Sequence, residues 1–120
     1  MAAHNELGKK GENLALEMLR QKKYQILETN WRHDKDEVDI IAREGNELVI
    51  VEVKTRSTDY FGDPEDAVDA AKERNLIRAA EAYVELNNLD IDVRYDVVSI
   101  ILNNHQSTIR HIRDAFYPGL

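Results

Sequence analysis

The sequence predicts an α/β fold in which a mixed central sheet is flanked by helices, with elements in the order α-β-β-β-α-β-β. Three observations carry this. The stretch from Glu37 to Lys54 reads as two Val/Ile-rich strands around Gly45-Asn46, a two-residue hairpin signal. Apolar residues recur at helical spacing before the first strand and again after Asp63-Pro64. Ile91 to Leu102 starts in alternation and becomes apolar on both sides near Val97 and Val98, as a strand entering a core does. At 120 residues the chain is expected to be one domain, spanning 1–120, with one modest core.

Residues from about 5 to 22 form the first expected helix, with Leu7, Gly11, Leu14 and Met18 in one stripe, Ala15 and Leu19 widening it, and Asn5 as the N-cap. Gly8 and Gly11 each cost roughly 1 kcal/mol relative to Ala in a helix. Close approach of the helix to a sheet is a reason to keep them. Glu12 lies by this small-residue stripe, where it is either presented to whatever the helix packs on or is a solvated charge. Tyr24 to Trp31 reads as the first strand, and Arg32 to Asp36 as a polar loop in which His33 is solvated. Beyond the hairpin, Thr55 to Asp63 is a loop containing Arg56, Tyr60 and Phe61. Asp63-Pro64-Glu65-Asp66 then starts a helical region, with Asp as N-cap and Pro at the first helical position. That region runs to about Asn87, with a break expected near Ala70-Ala71-Lys72. Asn103 to Gln106 is a turn and Ser107 to Ile112 a short edge strand, after which the tail from Phe116 is expected to pack loosely or fray.

The central hairpin concentrates charge where apolar residues belong. With Gly45-Asn46 as the loop, Ile41 opposes Ile50, Asp39 opposes Glu52, and Glu37 opposes Lys54. The side-chain period of two then places Glu37, Asp39 and Ile41 on one face with Leu48, Ile50, Glu52 and Lys54. Val38, Ile40, Ala42, Val49, Val51 and Val53 take the other. Like charges directly opposed across strands are destabilising, so Asp39 against Glu52 is a local conflict that a divalent cation would remove. Oxygen ligands suit Mg²⁺ or Mn²⁺. Such an ion can activate water and stabilise charge on a phosphate, and Lys54, two residues from Glu52 on the same face, can assist. Each part also has an ordinary counterpart: an exposed same-face pair for Glu52 and Lys54, a cross-strand ion pair for Glu37 and Lys54. Their joint occurrence inside Val/Ile strands favours a site.

Composition narrows the classes. The absence of cysteine excludes disulfides and thiolate metal centres. No apolar run approaches the length of a membrane span, and Met-Ala-Ala-His-Asn-Glu lacks the apolar core of a signal peptide, so the cytoplasm is the expected location. A net charge of −7 argues against a non-specific electrostatic grip on nucleic acid. It does not exclude nucleic-acid chemistry, because an acidic metal site itself adds negative charge.

The Asp39…Glu52-x-Lys54 pattern resembles the core of the restriction-endonuclease-like nucleases, whose αβββαβ order the expected elements also match. More closely, the chain resembles the YraN family of small bacterial proteins, similar to archaeal Holliday-junction resolvases. The matching text is Gly8-x-x-Gly11-Glu12-x-x-Ala15, Asn30-Trp31-Arg32, Glu37-Val38-Asp39-Ile40-Ile41-Ala42, Val51-Glu52-Val53-Lys54-Thr55-Arg56, Phe61-Gly62-x-Pro64, Tyr95-Asp96-Val97-Val98 and Ile109-x-His111-Ile112-x-x-Ala115-Phe116. It covers nearly the full length. One departure is Asp36, where family members usually carry Gly. The resemblance implies that Glu12, Asp39, Glu52 and Lys54 fill catalytic positions, with Asp39, Glu52 and Glu12 toward Mg²⁺ or Mn²⁺. On this basis the expected function is divalent-metal-dependent cleavage or binding of branched or structured DNA, with Arg32, Arg56 and Tyr60 contacting it and a homodimer as the working assembly. The alternative is an inactive nuclease-fold module that binds nucleic acid or a protein partner, which the acidic balance favours.

Overall fold

The hairpin forms at the turn its sequence marks. Gly45 supplies a positive φ of 57°, and Ile41 pairs with Ile50, Ala42 with Val49 and Arg43 with Leu48. The computed structural model describes residues 2–60 and 62–118, with side chains from residue 5 onward. Its elements are α1 (Ala2–Gln21), β1 (Gln25–His33), β2 (Asp36–Glu44), β3 (Glu47–Arg56), a 3₁₀ turn (Pro64–Ala67), α2 (Ala70–Leu86), β4 (Asp92–Leu102) and β5 (Ser107–Phe116). The sheet order is β1-β2-β3-β4-β5. Only β3 and β4 run parallel, because α2 provides the long crossover that a parallel pair needs. This is the α/β architecture expected, a five-stranded mixed sheet with two helices, compatible with an αβββαβ core.

The two helices cover opposite faces of the sheet. Ala15 and Leu19 of α1 bury against Ile40, Ala42, Val49, Val51, Val98 and Ile100. Leu76, Ala79, Ala80 and Tyr83 of α2 bury against Val38, Ile41, Leu48, Ile50, Tyr95 and Val97. So β3 is covered on both sides, which is why it is apolar on both faces until Glu52. Gly11 explains the closeness of α1: a Cβ there would lie 1.8 Å from Thr55 Oγ1 and 2.9 Å from Thr55 Cβ. Gly8 has no such reason, since nothing lies within 4 Å of its notional Cβ.

Several local expectations change. Asn5 lies inside α1 rather than capping it. The polar loop after the first strand shrinks to a turn at Asp34-Lys35, with Asp34 at φ 53°, and His33, still partly exposed, stacks on Trp31 at 5.8 Å. The helix start at Asp63-Pro64 is real but yields one 3₁₀ turn, in which the Asp63 N–H donates to Asp66 Oδ2. The break falls just before Ala70, and Asp69 caps α2 by accepting from the Lys72 N–H at 2.9 Å. β5 is longer than expected, and Phe116 is buried, stacked on Tyr95 at 5.1 Å. Phe61 of the family-like motif and the tail residues Gly119 and Leu120 lie outside the described residues.

Two ion-pair systems fix the frame. Asp36, the residue in place of the family glycine, accepts two 2.7 Å bonds from Arg78 of α2 and so ties the start of β2 to that helix. On the α1 face, Arg94 donates to both oxygens of Asp96, to Tyr24 and to Glu44, while His111 Nε2 lies 2.7 Å from Asp96 Oδ2. Burial alone would raise the Asp96 carboxyl. The bonds from His111, Arg94 and the Asp114 N–H outweigh it and hold the group at about 2. Among the described residues, no helix is long and apolar enough to cross a membrane.

The contrast between the two glycines is testable by thermal melting. Gly11→Ala should destabilise by about 1–3 kcal/mol, because the methyl group collides with buried Thr55. Gly8→Ala should stabilise by about 0.5–1 kcal/mol, the ordinary gain at an open helix position. Equal effects at both positions would refute the close-packing assignment.

Candidate functional site

The β2–β3 ladder ends at the pair Ile40–Val51. Beyond it β2 pairs only with β1, through Val38–Trp31, Glu37–Arg32 and Asp36–His33, while β3 continues along β4. A buried strand must still satisfy its backbone. The Val53 N–H, which has lost its ladder partner, donates to Asp39 Oδ2 at 2.8 Å. The strand alternation also slips here. Val38 and Ile41, three residues apart, both pack on the α2 side, whereas strict alternation had put Val38 on the face opposite Ile41. β1 slips in step: Glu28 and Trp31 both reach Tyr83 of α2, and Asn30 between Thr29 and Trp31 takes φ 51°.

Glu52 lies beside Asp39, facing α2, with only 3% of its surface exposed. Its Oε2 is 3.3 Å from Lys54 Nζ and 3.3 Å from Lys72 Nζ of α2. Its Oε1 is buried with no hydrogen-bond partner. Burial first, and then the charge of Glu52, push the Asp39 carboxyl up to about 8, against the opposing bond from Val53. The proton that Asp39 keeps can be shared with Glu52. A cation in place of that proton would satisfy the orphaned oxygen and cancel the repulsion. On this observation the Asp39–Glu52 pair fits a hard divalent ion bound by one or two carboxylates plus waters.

Asp39 opens on a cleft of about 450 Å³ between α1 and the end of β3, with Glu52 buried behind it. Glu12, Asp39, Lys54 and Arg56 line it, together with Asn5, Gly8, Lys9 and Asn30. Burial raises the Glu12 carboxyl, the charges of Glu37 and Glu52 add to this, and a hydrogen bond from Asn30 opposes it. Glu12 thus senses the pair electrostatically. Among the described residues, no three carboxylate or imidazole side chains are already gathered in metal-ligand geometry.

The fold therefore brings Glu12, Asp39, Glu52, Lys54 and Arg56 to one place. It does not form the expected Glu37–Lys54 pair: Glu37 binds Arg32 at 2.8 Å and Lys54 turns to Glu52. Arg32 is exposed at that ion pair, and Tyr60 is exposed on the loop after β3. Lys9 lines the cleft, whereas its neighbour Lys10 lies outside it. Sequence reasoning missed Asn30 and Lys72. An asparagine is a common left-handed residue, which is a weak signal for Asn30, whereas nothing local marks Lys72.

The model of the Uncharacterised protein family UPF0102 matches residues 11–100, a stretch containing every one of these acids and lysines except Lys9 and Lys10. The chain belongs to this family. Its UPF0102 relatives include a protein of Christiangramia forsetii, 55% identical over 117 residues and 98% of each chain. Another, from Bacteroides thetaiotaomicron, is 51% identical over 120 residues, covering 100% of this chain and 99% of its own. A third, from Flavobacterium psychrophilum, is 50% identical over 117 residues and 98% of each. UPF0102 is the YraN family that the sequence motifs resemble.

The raised Asp39 carboxyl sets a pH dependence. Its folded pKa of about 8 lies above the ordinary 3.8, so its contribution to stability is full below pH 3.8 and is lost as pH rises through about 8. The metal-free protein should lose stability progressively across that window. Asp39→Asn should flatten the slope in urea unfolding measured at several pH values. An unchanged slope would count against a shared proton.

Proposed function

We propose that the protein is a divalent-metal-dependent endonuclease acting on branched or structured DNA. The observation that carries this reading is the buried Glu52 carboxylate, with one oxygen orphaned, set against Asp39 at the foot of an open cleft. Asp39 and Glu52 would hold Mg²⁺ or Mn²⁺, with Glu12 on the cleft wall close enough to act through water. Bound there, the ion supplies Lewis-acid stabilisation of a scissile phosphate and a water of lowered pKa.

The chain's own residues account for the rest. Lys54 lies on the cleft and within 3.3 Å of Glu52, placed to neutralise charge that builds on a phosphate oxygen. Lys9 and Arg56 extend this cationic lining along the cleft, where a sugar–phosphate backbone would run. Asn30 orients Glu12. Gly8, whose Cβ position is empty, keeps the α1 wall low where a strand would enter. The preference for branched DNA, and a homodimer that would set two clefts on one junction, come from the resolvase resemblance. A second reading, a module that binds nucleic acid or a protein without cutting, is favoured by the net charge of −7.

A cleavage screen separates them. Junction, flap, duplex and single-stranded substrates would be incubated with the protein and Mg²⁺ or Mn²⁺. Cleavage of a junction or flap is expected, lost without metal and reduced roughly 10²–10³-fold in Lys54→Ala, the usual cost of one transition-state donor. Mg²⁺ should also raise the melting temperature of the wild type and not of Asp39→Asn or Glu52→Gln. No cutting of any substrate, with a Mg²⁺-dependent melting shift retained, would leave the binding module; no shift either would remove the metal site.

A further inference from the structure

Lys72 stands where a helix disfavours it. Asp69 is the N-cap of α2, so Lys72 lies in the first turn, at the positive end of the helix dipole. A cation there is unfavourable. The capping bond from the Lys72 N–H to Asp69 Oδ1 nonetheless fixes this turn, and the half-buried side chain runs back to the sheet to meet Glu52 Oε2 at 3.3 Å. Lys54 holds the same oxygen from the strand. The carboxylate is therefore gripped at Oε2 by two ammonium groups from different elements, while Oε1 is left buried and unbonded.

A carboxylate so gripped has one oxygen to offer. Ca²⁺ readily takes both oxygens of a carboxylate in its larger, flexible shell, whereas Mg²⁺ requires near-octahedral geometry from single oxygens and waters. Lys54 alone could not maintain the restriction, since it also faces the cleft and is the cation nearest an incoming phosphate. Lys72, on the helix behind Glu52, is absent from the cleft lining and keeps its hold when Lys54 turns away. We propose that Lys72 is a positioning residue that pins Glu52 through Oε2, so that the Asp39–Glu52 pair offers single oxygens and selects a small octahedral cation over Ca²⁺. The inference rests on the metal-site reading above and deepens it, by assigning ion selectivity to a residue that touches neither ion nor substrate.

The test is calorimetric titration of the whole protein with MgCl₂, MnCl₂ and CaCl₂ at one pH and ionic strength, without DNA, for wild type, Lys72→Met and Lys72→Arg. Removing a nearby positive charge strengthens binding of every divalent cation alike, so the informative quantity is the ratio of Mg²⁺ to Ca²⁺ affinity. Lys72→Met should shift that ratio toward Ca²⁺ by about tenfold, equivalent to about 1.4 kcal/mol. Lys72→Arg, which keeps a cation beside Oε2, should stay near the wild-type ratio and serves if the Met variant folds poorly, since a Ca²⁺ shift in the folded Arg variant would also refute the pinning. An unchanged ratio in folded Lys72→Met, with Mg²⁺ still binding to wild type, overturns the role of Lys72 and leaves the metal site standing. Absence of any divalent binding in wild type overturns both.

Discussion

The pairing of β2 with β3 stops at Ile40 and Val51, and the character of the site follows from that stop. A covered strand cannot leave an N–H without an acceptor, because the lost hydrogen bond costs about 1–3 kcal/mol once water is excluded. Asp39 supplies the acceptor for Val53. Doing so draws a carboxylate inward, next to Glu52, which already faces the α2 side of the same sheet. One unpaired backbone group thus converts a strand-pairing defect into a pair of confined acids. The conflict read from the hairpin register survives in the fold, although the strands have separated before the two residues become ladder partners.

Other buried acids show how unusual Glu52 is. Asp96 is fully buried and receives Arg94, His111 and a backbone N–H. Asp36 receives a two-pronged guanidinium, and the partly buried Glu65 is bonded by Ser99 and Arg110 at 2.6 and 2.7 Å. In each, both oxygens are satisfied, as buried polar groups normally are. Glu52 is different. Two lysines crowd one oxygen and the other has nothing. The same fold that completes its structural ion pairs elsewhere leaves one coordination position open beside Asp39. A proton held by Asp39 relieves that asymmetry at neutral pH, and on the metal-site reading a bound cation would take the proton's place.

What could be read from the sequence was what strand and turn chemistry determine locally. Gly45-Asn46 set the register, and the period of two set Glu52 and Lys54 on one side of a central strand. The misreadings were non-local. Val38 changes face because β1 and β2 slip together at Asn30 and Asp39, and a single-strand alternation rule has no view of its neighbour. Gly8 and Gly11 look alike in the text, yet only Gly11 meets Thr55. Lys72 is brought to Glu52 by the α2 crossover, twenty positions along the chain. Asp36 departs from the family glycine, and its partner Arg78 lies 42 positions along the chain, so its role as a strand-to-helix tie is not local in the sequence. Phe116 seemed a loose tail residue until Tyr95 was seen beneath it.

The acidic balance, the main objection to a nuclease, loses force once the charges are located. Glu44 and Asp96 are spent on Arg94, Asp36 on Arg78 and Glu65 on Arg110, all away from the cleft. Around the cleft itself, Lys9, Lys54 and Arg56 stand against Glu12 and the Glu52 behind it, with Asp39 neutral below about pH 8, so the cations outnumber the charged acids. Charges beyond about 10 Å are largely screened at ordinary ionic strength, so a phosphate entering the cleft responds to this local set more than to the net −7. A divalent ion on the acid pair would make the set more positive. On the nuclease reading, then, metal takes the place of the Asp39 proton: loading creates the reactive centre and adds to the field that holds its substrate.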